Sequence, residues 1–276
     1  KNSLMPSFYR KEIDWANCPQ QLITKDNKPD NVHVVDTGNE ADFWFCLDEV
    51  FSGGQVNTVV WTGAPKIDDC LADKILSGPI RNCNGEPFLK GRDIVPGNGV
   101  SSLAGFEDKL YRNFLIPDPH ILKEDIPKYR AMVDGITKVF NGLNEIWPDN
   151  DHQAFLVVNS GLAKTSPIEK FNPHYDGAGE IGEIPTKTEL NLCWVIAGPQ
   201  TVIFDNSEFK SPNITEKFDR FNTPTPTIWQ AEKGAAVILP AFNTFSKAAV
   251  HATPFHLSSE KPQKRIFLRS RVILDP

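Results

Sequence analysis

The chain has 276 residues, 29 basic and 35 acidic side chains, a net charge of −6 and a pI near 5.6, a balance that argues against nucleic acid or an anionic membrane as its main partner. With 40% hydrophobic residues and a mean hydropathy of −0.33 it is an ordinary globular composition, long enough to bury a large core, and no run approaches the roughly 18 apolar residues of a membrane span. Five cysteines (18, 46, 70, 83 and 193), an odd number with no CxxC pair, speak against a disulfide framework or zinc ribbon and for a reducing, cytoplasmic setting.

The opening residues, "KNSLMPSFYR", show no apolar signal region, although numbering from a lysine leaves room for a removed leader. The first part of the chain mixes short apolar runs with turn signals: "NVHVVDTG", "TVVWTGAP" and "IVPGNGVSSLAG", with one helix near "EADFWFCLDEVF". The clearest helix is expected from about Pro127 to Trp147. Its apolar residues Ile126, Tyr129, Val133, Ile136, Phe140, Leu143 and Trp147 fall three and four apart, as one stripe packed on a sheet. Pro127 suits a first turn, and Pro148 ends it.

After that helix the period changes. Residues 154–160, 188–196, 201–204, 234–240 and 265–274 are short, β-rich and separated by Gly, Pro and Asn, which predicts strands. The expectation is a single domain over 1–276, mainly β with helical backing. About 1–150 supplies mixed α/β elements, and about 151–276 forms most of a sandwich or barrel.

Chemistry concentrates in the second part. His174 and Asp176, in "FNPHYDGAGE", stand two apart, so on a strand both would face one way, with Tyr175 turned to the other side. The Asp-Gly that follows marks a turn at the strand end. His251 lies 75 residues past Asp176 (251 − 176), behind an apolar strand and a small-residue stretch, and offers a third ligand. Two histidines and a carboxylate leave half an octahedron open, which suits Fe(II) with bound co-substrate and O2; Zn(II) accepts the same set.

Arg265 and Arg269 follow on the last predicted strand, four apart and so on one face, about 13 Å from one to the other. Arginines facing into a small barrel are costly unless each meets an anion, and a guanidinium forks onto a carboxylate. The bland alternative is an exposed, salt-bridged face, which Arg271 on the same side favours.

Taken together, His174-x-Asp176, His251 and Arg265 resemble the iron(II)/2-oxoglutarate-dependent oxygenase superfamily, built on a double-stranded β-helix, a cupin-like jelly roll. The segment "IAGPQTVIFD" is similar to the family's stretch in which a threonine helps hold the 2-oxoglutarate carboxylate. Thr201 stands 25 residues past Asp176 (201 − 176), as in taurine dioxygenase and clavaminate-synthase-like enzymes. The resemblance covers roughly residues 154–274. It implies Fe(II) on His174, Asp176 and His251, with 2-oxoglutarate held by Arg265 and Thr201 and O2 as oxidant. It also implies Arg269 on a small acidic substrate, amino-acid-like, in specialised metabolism. Only 50 residues separate Thr201 from His251 (251 − 201), where these relatives insert a longer lid.

The remaining histidines have structural readings: His33 as a sheet residue, His120 at a helix entrance, His152 in a turn, His256 in a surface loop. Two rivals belong to other classes. A cupin-like binding protein would keep the barrel without needing Arg265 and Thr201; an oxygenase acting on protein or RNA would keep the iron set but add a basic or extended face.

Overall fold

In the computed structural model the described residues are 20–22, 28–53, 56–77, 95–97, 123–128, 130–131, 134–135, 138, 151–159, 188–209, 221–223, 225–240, 249–252 and 265–274. They form β1 (Gln20–Leu22), β2 (Val32–Val35), α1 (Glu40–Gly53), β3 (Thr58–Trp61), α2 (Asp69–Ser77), β4 (Val95–Gly97), β5 (Asp151–Asn159), β6 (Thr188–Ala197), β7 (Val202–Phe204), β8 (Ile228–Gln230), β9 (Ala236–Pro240), β10 (His251–Ala252) and β11 (Arg265–Leu274).

The strands make two sheets. One has the order β1-β8-β7-β10; the other runs β2-β3-β9-β6-β11-β5-β4. Pairing is antiparallel except for β1 with β8 and β2 with β3. Pro96, which has no N–H to give to a ladder, sits in β4 at the sheet edge, where that loss is tolerated.

One buried cluster joins the sheets. It takes Ile203 and Trp229 from the four-stranded sheet and Val32, Val60, Cys193, Val237 and Leu239 from the seven-stranded one. Side chains alternate along a strand, so these residues mark the inner faces. Val202, Phe204 and Ile228 point the other way, into a second cluster with Phe221, Val250 and Ala252. The architecture is a two-sheet sandwich, apolar on both sides of its smaller sheet.

Helices back the outer face of the larger sheet. Phe43 of α1 stacks on Trp61 of β3, with ring centroids 4.4 Å apart and planes 7° from parallel. The Trp61 Nε1–H donates to the Thr37 carbonyl at 2.7 Å. The chain passes so close there that a Cβ on Gly63 would lie 1.8 Å from that same oxygen, which leaves glycine as the residue that fits. Residues 126–128, 130–131, 134–135 and 138 are helical. A Cβ on Gly135 would stand 3.0 Å from Pro65 Cβ and 3.9 Å from Trp194 Cη2, which sets this helix against β6. Lys128 ties it to α2 by donating to Asp68 Oδ1 at 3.1 Å. Asp68 also accepts the Leu71 N–H at the start of α2, and this bond, then Lys128, holds its carboxyl below the usual carboxylate range.

The strands predicted after residue 150 stand within a few residues of their expected bounds, as do α1 and the apolar runs of β2, β3 and β4. His33 lies in β2. His152 is a correction: it belongs to β5, opposite Val272, because the ladder with β11 extends through the polar start Asp-His-Gln. The three-residue β1 and β8 and the two-residue β10 are too short to show a period, and α2 was not foreseen. The rest of the predicted 127–147 helix, with His120 and His256, lies outside the described residues. Among those described, no helix is long and apolar enough to cross a membrane, and Cys46 and Cys70 carry free thiols.

Candidate functional site

His251 opens β10, directly opposite Ile203 of β7. Directly opposed residues in an antiparallel pair project to the same side, so the imidazole shares the inner face with Ile203 and, one strand further, Trp229. It is 6% exposed. Its Nδ1 lies 3.0 Å from the Ala249 carbonyl oxygen. A carbonyl oxygen only accepts, so Nδ1 carries the proton, and in the neutral ring Nε2 carries the lone pair. A metal-ligating histidine is set in the same way, by donating its other ring N–H to a carbonyl or carboxylate.

The segment that carries His251 is pinned from three sides. The Val250 N–H donates to Asn206 Oδ1 at 3.2 Å, and the Val250 carbonyl accepts from the Phe204 N–H at 3.1 Å. The Ala249 N–H reaches the Pro240 carbonyl at 3.2 Å. Asn206 is itself placed by a short 3-10 turn, Asn206–Glu208, which Asp205 caps by accepting the Ser207 N–H at 2.8 Å. A two-residue strand is thereby held in register despite its length.

Thr201 precedes β7 and is 4% exposed. Two residues from Ile203, it continues the inner-facing alternation. The connection from β6 is a tight Gly-Pro-Gln passage in which Gly198 has φ of 92°, the left-handed region that favours glycine. The Gln200 side chain donates to the Val195 carbonyl at 3.4 Å, and its main-chain carbonyl accepts from Gln230 Nε2 at 3.3 Å. These bonds tie the end of β6 to β7 and β8, and so fix where Thr201 emerges.

The register of β11 places the two arginine positions. Arg269 is opposite Cys193 on one side and Phe155 on the other, and Cys193 belongs to the cluster between the sheets. Arg271 stands opposite Asn191, which is fully buried. Arg265 pairs with Asn159 and precedes Ile266, the partner of Ala197. The pairing with β6 shifts register between Ile266 and Phe267. Arg265 and the Gly198–Thr201 connection therefore occupy the same end of the sandwich.

His174, Asp176 and the intervening Tyr175 lie outside the described residues. Among the described residues no three His, Cys, Asp or Glu side chains gather as a metal set. Sequence reasoning missed Trp229, 3% exposed on the inner face beside Ile203. A three-residue strand amid Thr-Pro repeats carries too little periodicity to announce that its tryptophan faces the core.

Comparison with protein-family models and with curated proteins gives no match. Among solved structures, the chain is similar to the rice dioxygenase for auxin oxidation, with 12% identity, 87% of this chain and 82% of that one covered, and a TM-score of 0.40. It is also similar to a full-length Neurospora crassa protein in complex with alpha-KG, with 12% identity, coverage of 92% and 88%, and a TM-score of 0.38. A third is a Pseudomonas putida prolyl-4-hydroxylase, with 11% identity, coverage of 77% and 98%, and a TM-score of 0.27.

Proposed function

We propose, from the residues and their register, that this chain is an Fe(II)- and 2-oxoglutarate-dependent oxygenase. Its substrate is a small carboxylate-bearing molecule, amino-acid-like, hydroxylated or oxidatively desaturated or cyclised in specialised metabolism. The observation that carries the proposal is the buried inner-face imidazole of His251, with Nδ1 committed to the Ala249 carbonyl, so that Nε2 would be the nitrogen to ligate a metal. His174 and Asp176 would complete the metal set, a His₂-carboxylate donor group suited to non-haem iron.

β5 and β6 both flank β11 antiparallel, so they run parallel to each other. The chain thus leaves β5 at one end of the larger sheet and enters β6 at the other. Among the described residues β10 has β7 as its one strand neighbour, at the edge of the smaller sheet. The reading requires His174 and Asp176, which lie between β5 and β6 in sequence, to share one ion with His251, the donor set that the resemblance to taurine-dioxygenase-like enzymes implies.

When bound, iron with 2-oxoglutarate and O2 supplies the oxidising chemistry, releasing succinate and CO2. The chain's own contribution is position and exclusion of water. Arg265 forks onto the far carboxylate of 2-oxoglutarate, with the Thr201 hydroxyl as a second donor at that end of the sandwich. Arg269, about 13 Å along β11, meets the substrate's carboxylate from the same face. The apolar cluster between the sheets keeps bulk water from the reacting C–H bond.

Anaerobic titration with Fe(II) and 2-oxoglutarate is expected to give the visible charge-transfer band of a chelated keto acid, and His251→Ala to abolish it. A variant that binds both as the parent does would remove His251 from the site; tight, stoichiometric Zn(II) with no response to 2-oxoglutarate would favour a hydrolytic zinc centre instead.

A further inference from the structure

The buried indole of Trp229 is a polar group that the proposed function leaves unused. Trp229 is 3% exposed, and its Nε1–H meets no hydrogen-bond acceptor among the described residues. Trp61 and Trp194, equally buried, do not share this state: one donates to the Thr37 carbonyl and the other to the Gly234 carbonyl. A buried donor with nothing to bind is a standing cost to the folded chain, and such a group calls for an explanation.

Its place in the sheet says what could meet it. Trp229 stands opposite Ile203 on the inner face. Thr201, two residues before Ile203, is its diagonal neighbour across the pair, at about 7–8 Å by strand geometry. His251 stands on the other side of Ile203, two strand spacings or about 10 Å from Trp229 along the backbone. A molecule reaching from His251 to Thr201 would end diagonally across from Trp229, so its far group is the part that the indole could meet. Nε1–H is a neutral donor and cannot accept, so it selects an oxygen acceptor.

We propose that the Trp229 Nε1–H donates to the far carboxylate of a 2-oxo dicarboxylate co-substrate, as a third group beside Arg265 and Thr201. This rests on reading the chain as a 2-oxoglutarate oxygenase. A carboxylate has about four lone-pair sites, so a bidentate guanidinium and one hydroxyl leave room for the indole.

The experiment compares 2-oxoglutarate with 2-oxopentanoate, the same chain without the far carboxylate, by anaerobic calorimetry on the Fe(II)-loaded protein. Trp229→Phe is expected to weaken 2-oxoglutarate about 10- to 100-fold, the effect of one hydrogen bond to a charged group, and 2-oxopentanoate by less than about 3-fold. Unchanged 2-oxoglutarate affinity, or equal weakening of both ligands, overturns the proposal while leaving the oxygenase reading in place. A parent protein that binds neither ligand overturns both. A second measurement needs no variant to fold: with Zn(II) in place of iron, the Trp229 indole proton resonance should move downfield on saturation with 2-oxoglutarate and stay in place with 2-oxopentanoate. A resonance that 2-oxoglutarate leaves unmoved sinks the assignment.

Discussion

At the scale of single residues, the proposed site contrasts a charged anchor with a neutral one. Arg265 and Thr201 occupy the same end of the sandwich, yet their expected weights differ. Removing a guanidinium from a buried carboxylate strands a charge, so Arg265→Ala should cost on the order of 3 kcal/mol or more of 2-oxoglutarate binding. Thr201→Ala removes one neutral donor and should cost about 1 kcal/mol. Titration of 2-oxoglutarate into each variant checks the pair, and equal, small losses would withdraw the carboxylate pocket from both. Arg269 is separable from them, since its loss should raise the KM for an acidic substrate and leave 2-oxoglutarate affinity as it was. The tautomer of His251 was not open to sequence reasoning, because it depends on a carbonyl two residues back that only the local backbone path brings within 3.0 Å.

At the scale of elements, two short strands are stabilised from outside themselves. β10 has two residues, and its register with β7 depends on Asn206 and Pro240 as much as on its own ladder. Asn206→Ala should leave the fold intact at a cost of about 1 kcal/mol, the loss of one hydrogen bond to the Val250 N–H. It should also weaken Fe(II) binding roughly 10-fold, in the range seen when groups that orient metal ligands are removed. Thermal melting and metal titration on one preparation separate the two effects; unchanged metal affinity would show that the His251 segment holds its place without the asparagine. The sequence announced β6, β9 and β11 through β-branched and aliphatic runs, and α1 through its aromatic face. It did not announce β1, β8 or β10, since three residues or fewer cannot display a period of two against their surroundings.

At the scale of the molecule, the proposed site joins parts of the chain far apart in sequence, and that can be tested without seeing the join. If His174 and His251 serve one ion, their losses should not add. His174→Ala and the His174→Ala/His251→Ala double variant should be equally devoid of Fe(II) binding, whereas independent sites would give additive, partial losses. Much of the fold was legible from the residues: a strand-rich second part, α1, and helical residues within 126–138. Those features are set by local period, turn chemistry and composition, which act within a few residues. What the arginine row pairs with was not local: only the sheet sets Arg269 opposite Cys193, itself packed in the core between two sheets. The bare indole of Trp229 and the committed Nδ1 of His251 belong to the same category. A strand's period says that alternate residues share a side, but which side is buried is decided by the sheet that packs against it.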